Sequence, residues 1–211
     1  SLVNDGIDSP ANPADFASAS EGDMIITHKE FIQDIYGPTT SAFTNVIRTP
    51  INAASTGLFN FLAQSALNYD EYEFIQLVFE YKTLLTDFTS TGVVGSVLMA
   101  TQYNASANPF TDKATMIEYD GCSAGTVLNN IVHGVECDPD RRQGSKILST
   151  SLNGYVPKGQ DLKTINMGIF QLAMVNTPSI FYGQQVGELW CYYKVKLGKP
   201  KIYSALGRNV P

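Results

Sequence analysis

Residues 69–82 read Tyr69-Asp70-Glu71-Tyr72-Glu73-Phe74-Ile75-Gln76-Leu77-Val78-Phe79-Glu80-Tyr81-Lys82. From Glu73 onward the stretch alternates. Ile75, Leu77, Phe79 and Tyr81 fall on one face, and Phe74, Gln76, Val78, Glu80 and Lys82 on the other. Side chains repeating every second position, rich in aromatic and β-branched residues, belong to a strand. The first face is apolar throughout and predicts burial against a second sheet. The second mixes apolar with polar side chains and predicts a wall whose outer face is partly covered.

Working outward from this strand, residues 56–68 place Leu58, Phe59, Phe61, Leu62, Ala66 and Leu67 at mixed three and four spacing, which predicts one short amphipathic helix with Thr56 as its cap. Asp23–Tyr36 predicts a strand with a phase change near His28-Lys29, stopped by Gly37-Pro38, and Asn45–Pro50 a short edge strand. Downstream, Val93–Tyr103 is apolar on both faces and predicts a central strand. Phe110–Tyr119 predicts about two helical turns capped by Thr111 or Asp112. Residues 124–136 predict a weaker strand and Ile147–Leu152 a short one, while Thr164–Asn176 and Gly187–Leu197 are strong strands. Seven or eight strands with long connections predict an all-β, two-sheet sandwich with Greek-key or jelly-roll connectivity.

At 211 residues the chain suits one large β domain. A formal charge of -6, with 14 Lys and Arg spread along the chain, argues against a domain that binds duplex nucleic acid by its bulk surface. Three cysteines are an odd number, so reduced thiols are expected. No run approaches the roughly 18 apolar residues of a membrane span, and no signal-peptide pattern opens the sequence. Only 16% of residues are charged. That composition suits close packing against neighbours, and secreted binding domains share it.

The segments, taken in order, resemble the shell domain of small icosahedral virus capsid proteins of the tombusvirus-like type, a domain also carried by some single-stranded DNA viruses. The resemblance rests on Ile26–Ile35, Leu58–Lys82, Gly95–Asn104, Phe110–Tyr119, His133-Gly-Val-Glu-Cys-Asp138, Gly168–Ala173 and Gly187–Leu197. It implies an eight-stranded antiparallel jelly-roll sandwich with short helices in its connecting loops. It also implies a coat protein, not an enzyme, that self-assembles in many copies into a closed icosahedral shell around the genome, in a virion assembled in the host cell. On this reading residues 1–22 are an N-terminal arm, 23–197 the shell domain and 198–211 a C-terminal tail. The basic arm by which such proteins contact genomic nucleic acid is expected ahead of Ser1. No membrane partner is implied, and the host surface is left open.

Candidate site residues follow. Calcium, a hard cation wanting six to eight oxygens, is a candidate ligand between subunits at Asp112, Asp138 and Asp140, although Asn104 stands where the resemblance leads one to expect Asp. Arg141-Arg142, the only basic doublet, is the candidate nucleic-acid contact. His133 and Cys137 suggest a metal pair or a thiol nucleophile, but no paired-cysteine zinc spacing and no third group accompany them. Trp190 and Tyr192, outward on the last strand, leave open a carbohydrate-binding jelly roll that does not assemble.

Overall fold

The protein, a computed structural model, is described over residues 15–20, 22–86, 92–142 and 147–201. Among these, ten strands form two antiparallel sheets: β1 (Asp15–Ser20), β2 (Asp23–Tyr36), β3 (Thr44–Ile51), β4 (Tyr69–Thr83), β5 (Ser96–Gln102), β6 (Ser123–Thr126), β7 (Ile131–Gly134), β8 (Leu148–Ser149), β9 (Gly168–Val175) and β10 (Gln185–Pro200). The first sheet runs β1-β2-β10-β4-β7, with β8 also pairing β4; the second runs β3-β9-β5-β6. Sequence neighbours mostly lie in opposite sheets, so the connectivity is jelly-roll-like. Helices α1 (Asn60–Ala66), α2 (Lys113–Ile117) and α3 (Pro139–Arg142) sit in the connections.

The core lies between the sheets. Leu77, Phe79, Tyr81, Leu189, Tyr193 and Val195 from the first meet Val97, Met99, Phe170, Leu172 and Met174 from the second, all buried. Phe79 and Phe170 stack across the interface, ring centroids 4.1 Å apart and planes 26° apart. All eight residues of β9 are buried, because its outer face is covered as well.

The strand at 69–82 is there, but its alternation breaks once. Lys194 of β10 pairs Gln76 and Val195 pairs Phe74, so Ile75 is an extra residue in β4. Such a bulge shifts the faces by one. Ile75, expected inside, is 45% exposed, and Phe74, expected outside, is 4% exposed. Strand β2 shifts too, with Leu189 paired to Gln33 and Trp190 to Phe31. The extra residue is Ile32, downstream of the expected His28-Lys29.

Three further expectations change. Residues 124–136 are two strands: β6 belongs to the second sheet and β7 to the first, with a turn in which Asn129 N donates to Thr126 O. The helix expected from Thr56 starts at Asn60, and Phe59 at its cap makes no side-chain hydrogen bond. Thr56 instead donates its hydroxyl to Asn153 Oδ1 at 2.7 Å. Strand β1, inside the stretch expected as an arm, pairs β2 from Asp15↔Thr27 to Ser20↔Asp23.

Candidate assembly surfaces

The outer face of the first sheet centres on Trp190. Its ring carries Lys29 Nζ at 5.7 Å and Lys82 Nζ at 5.2 Å from the centroid, and Phe31 meets it edge-on at 5.6 Å. The indole N–H donates to Glu188 Oε2 at 2.8 Å. Glu80 pairs with Lys29 at 3.5 Å and Lys82 at 3.8 Å, with Lys29 and Glu80 nearly closed to solvent. Burial pulls the Lys29 ammonium below its usual range. Lysine ammoniums thus occupy the ring that a sugar would need for stacking, as attraction to an aromatic quadrupole favours. The carbohydrate reading of Trp190 loses its platform.

The outer face of the second sheet is covered by the connection from β5 to β6. Phe110 and Met116 pack on Leu98, Ala100, Ala173 and Val175. Gln171 pins this cover and is itself fully buried. Its Oε1 accepts from Phe110 N at 3.1 Å and its Nε2 donates to Phe110 O at 3.1 Å and to Asn45 Oδ1. A buried amide with both ends satisfied costs little and fixes position. Helix α2 is then capped by Asp112, whose Oδ1 accepts from Thr115 N at 2.8 Å. Hydrogen bonds from the Thr115 backbone and side chain hold that carboxyl below the usual range.

Helix α1 is capped from a distance. Glu30 of β2 accepts from Phe61 N at 3.1 Å and Leu62 N at 3.3 Å, and from the Tyr193 hydroxyl at 2.7 Å. It is 6% exposed. A carboxylate at helix-terminal N–H groups is favoured by their unpaired donors and by the helix dipole. Burial, then the charge of Glu30, drives the Tyr193 hydroxyl far above its ordinary pKa.

The expected site residues do not converge within one chain. Asp112 spends its side chain on the α2 cap. Asp138 Oδ1 accepts from Asp140 N at 3.0 Å, and Asp138 N donates to Glu136 Oε1 at 3.0 Å. Among the described residues no three His, Cys, Asp or Glu side chains gather closely enough to hold a metal. Arg141 and Arg142 end α3, and their side chains lie outside the described residues. Asn104 Oδ1 accepts from Ser106 N at 3.1 Å. His133 is not paired with Cys137: Thr101 Oγ1 stands 2.9 Å from its Nε2 and Ser123 Oγ 3.1 Å from its Nδ1. It links β7 of one sheet to β5 and β6 of the other, 1% exposed. Burial pushes its pKa down to about 4. Glu30 and Gln171 went unnoticed in the sequence, since their partners lie 31 and 61 residues away. A polar residue interrupting an apolar face was the one available signal.

This two-sheet arrangement, with its covered faces, has known counterparts. The sequence profile of the viral coat protein S domain matches residues 10–202. The chain belongs to this family. The coat-protein S domain is structural, so the imidazole and hydroxyls at His133 are core groups, not a catalytic set. No curated protein matches the sequence. Among solved structures, this coat-protein domain is similar to a chain of Cucumber Necrosis Virus, with 23% identity, TM-score 0.72, and coverage of 89% of this chain and 60% of that one. A chain of Melon necrotic spot virus matches at 21% identity and TM-score 0.74, covering 92% and 54%. One of Tobacco Necrosis Virus matches at 14% identity and TM-score 0.74, covering 90% and 89%. The domain therefore spans between half and two thirds of the first two chains. At these identities the likeness is one of fold.

Proposed function

We propose that this coat-protein domain is an eight-stranded jelly roll whose copies self-assemble into a closed icosahedral shell enclosing a viral genome, in a virion formed in the host cell. The strand order supports it most directly: β2-β10-β4-β7 faces β3-β9-β5-β6, and β1 and β8 are additions at the edges of the first sheet. Residues 23–197 are the shell domain on this reading. Residues 1–22 are an arm that contributes β1 as an edge strand, and 198–211 a tail after the main body of β10. The rigid sandwich sets the subunit's shape, while the pinned connections present fixed contact angles, and only fixed angles let repeated contacts close. Genome contact falls to basic sequence ahead of Ser1, with Arg141-Arg142 as the domain's own doublet; the net charge of -6 supports that division.

Sedimentation and electron microscopy of the purified protein test the assembly. Closed particles of megadalton mass are expected, and a chain that stays monomeric at all concentrations and salt conditions refutes it.

A further inference from the structure

Asn153-Gly154 is the one Asn-Gly pair in the chain, and it lies in the connection from β8 to β9. It makes a tight turn. Asn153 has φ 53° and ψ 26°, Gly154 has φ 68°, and Tyr155 N donates to Leu152 O at 3.1 Å. Positive φ at both central positions is what Asn-Gly supplies at least cost. Gly154 is required a second time, because a Cβ there would lie 2.4 Å from Oδ1 of Asn166, which is itself buried.

The pair this turn requires is also the one most prone to lose its amide. A glycine nitrogen, unhindered by a side chain on the next carbon, attacks the Asn Cγ. The N–Cγ bond forms, the Cγ–Nδ2 bond breaks, and Nδ2 leaves as ammonia with the proton of the glycine amide. Water then opens the five-membered imide at either carbonyl. One product is aspartate; the other is isoaspartate, whose backbone runs through Cγ and is one atom longer. Asn153 is exposed, so water is at hand.

In the folded chain the nucleophile is aimed away. Ring closure needs Gly154 N on the same side of the Asn153 Cα–C bond as the side chain, and at ψ 26° it stands on the opposite side. Its proton is engaged too, since Gly154 N donates to Ser151 O at 3.0 Å. The side chain is held by the connection from β3 to β4: Asn153 Oδ1 accepts from Thr56 N at 2.9 Å and from Thr56 Oγ1 at 2.7 Å. Asn153 N donates to Ala54 O at 3.1 Å. Fully buried Asn52 anchors the same pair of connections, donating from Nδ2 to Ser149 O at 3.3 Å and Ile165 O at 2.8 Å. Two donors on Oδ1 polarise Cγ, but that is of no use to a nitrogen on the wrong side. Attack requires the turn to leave the Thr56 segment first.

We propose that Asn153 is a deamidation site that the native turn suppresses, so that chains whose 150–167 connection has opened are converted and then excluded from the native fold. Isoaspartate lengthens the turn by one backbone atom. The bonds from Tyr155 N to Leu152 O and from Asn153 N to Ala54 O then no longer close together, and Thr56 loses the oxygen placed for it. Plain aspartate keeps both the backbone and the acceptor. The inference is independent of the shell-assembly reading.

The test follows the amide by mass spectrometry of the tryptic peptide 147–158, whose only Asn is Asn153. Enzymatic carboxyl methylation tells isoaspartate from aspartate. The protein is held at one mildly alkaline pH and one temperature, folded in buffer or unfolded in guanidinium chloride, with folding followed by Trp190 fluorescence. The unfolded chain is expected to lose the amide at least about tenfold faster, since attack on the folded chain waits on local opening. Equal rates overturn the proposal, and so does an unfolded chain that keeps its amide. Thr56→Val removes the hydroxyl donor and should speed the loss in the folded chain at least about twofold, with the unfolded rate unaltered. An unchanged or slower loss overturns suppression by this tie. Chains aged in guanidinium chloride and returned to buffer are then separated by size into compact and expanded forms. Isoaspartate should be at least about threefold enriched in the expanded form, and equal shares overturn the exclusion of modified chains.

Discussion

Acid should unfold this domain partly through one imidazole. His133 lies between the sheets, 1% exposed, and its pKa is pushed down to about 4 from the ordinary 6.5 by burial. Protonation does not break its two contacts, because the Thr101 and Ser123 hydroxyls can accept from an imidazolium as readily as they exchange hydrogen bonds with a neutral ring. The cost is that of holding a charge away from water. Between pH 6.5 and about 4 the unfolded chain binds a proton at this site that the folded chain does not, so stability falls as pH falls through that window. At about 1.4 kcal/mol per pH unit the loss is on the order of 3 kcal/mol, complete below the folded pKa. Above pH 6.5 the neutral ring contributes no pH dependence. The assay is urea unfolding of unassembled protein at a series of pH values, followed by the fluorescence of Trp190, the only tryptophan. Protein concentration must stay below that of assembly, since association would add stability of its own. Carboxylates titrate in the same range, so the measure is the difference between the unaltered chain and His133→Asn. The unaltered chain should lose about 3 kcal/mol more between pH 7 and pH 4 than the variant. Parallel curves for the two proteins would refute the reasoning.

Glu30→Ala removes the acceptor of two helix N–H groups and of the Tyr193 hydroxyl, leaving buried donors unpaired; urea unfolding should show a loss of about 2–4 kcal/mol, and a loss below about 0.5 kcal/mol would count against the capping role. Gly187→Ala places a Cβ 2.4 Å from Tyr81 Cε2 and 2.6 Å from Lys82 O. Because one of these is backbone, the sheet must move, and a loss of about 1–3 kcal/mol is expected in the same assay; an unchanged midpoint would contradict the close approach. Calcium bound between copies at Asp138 and Asp140 predicts that calcium titration of assembled particles shows saturable heat that Asp138→Asn with Asp140→Asn abolishes. Equal heat from the variant removes those residues as ligands.

Much of the fold was legible because strands announce themselves through alternation. Residues 187–197 kept one phase throughout, and Leu189, Cys191, Tyr193, Val195 and Leu197 all lie in the core. Residues 110–119 carried both a helical period and a capping Asp, and Asp112 caps α2. The misreadings share a cause. Ile75 and Phe74 exchange faces because pairing with β10 admits an extra residue, and one strand's sequence contains no record of its partner's register. Residues 124–136 looked like a single run because both strands are only four residues long, and the sheet each one joins is what separates them. The candidate site was less legible still. Asp112, Asp138 and Asp140 were picked by residue type, which cannot reveal that Asp112 spends its oxygens on a helix cap.

Read alone, the amino-acid order marked residues 69–82 and 187–197 as long strands, supplied enough strands for both sheets of an all-β sandwich, and resembled a viral shell domain in the order of its segments. Those properties depend on local period and chain order, which are present in one dimension. Which face of β4 is buried below Gln76, where α1 begins, what meets the Trp190 ring, and which connection covers the outer face of the second sheet were settled only by the folded chain. Each of these depends on a hydrogen bond or contact between residues far apart in the chain, and such contacts exist only once the sheets have closed over the core.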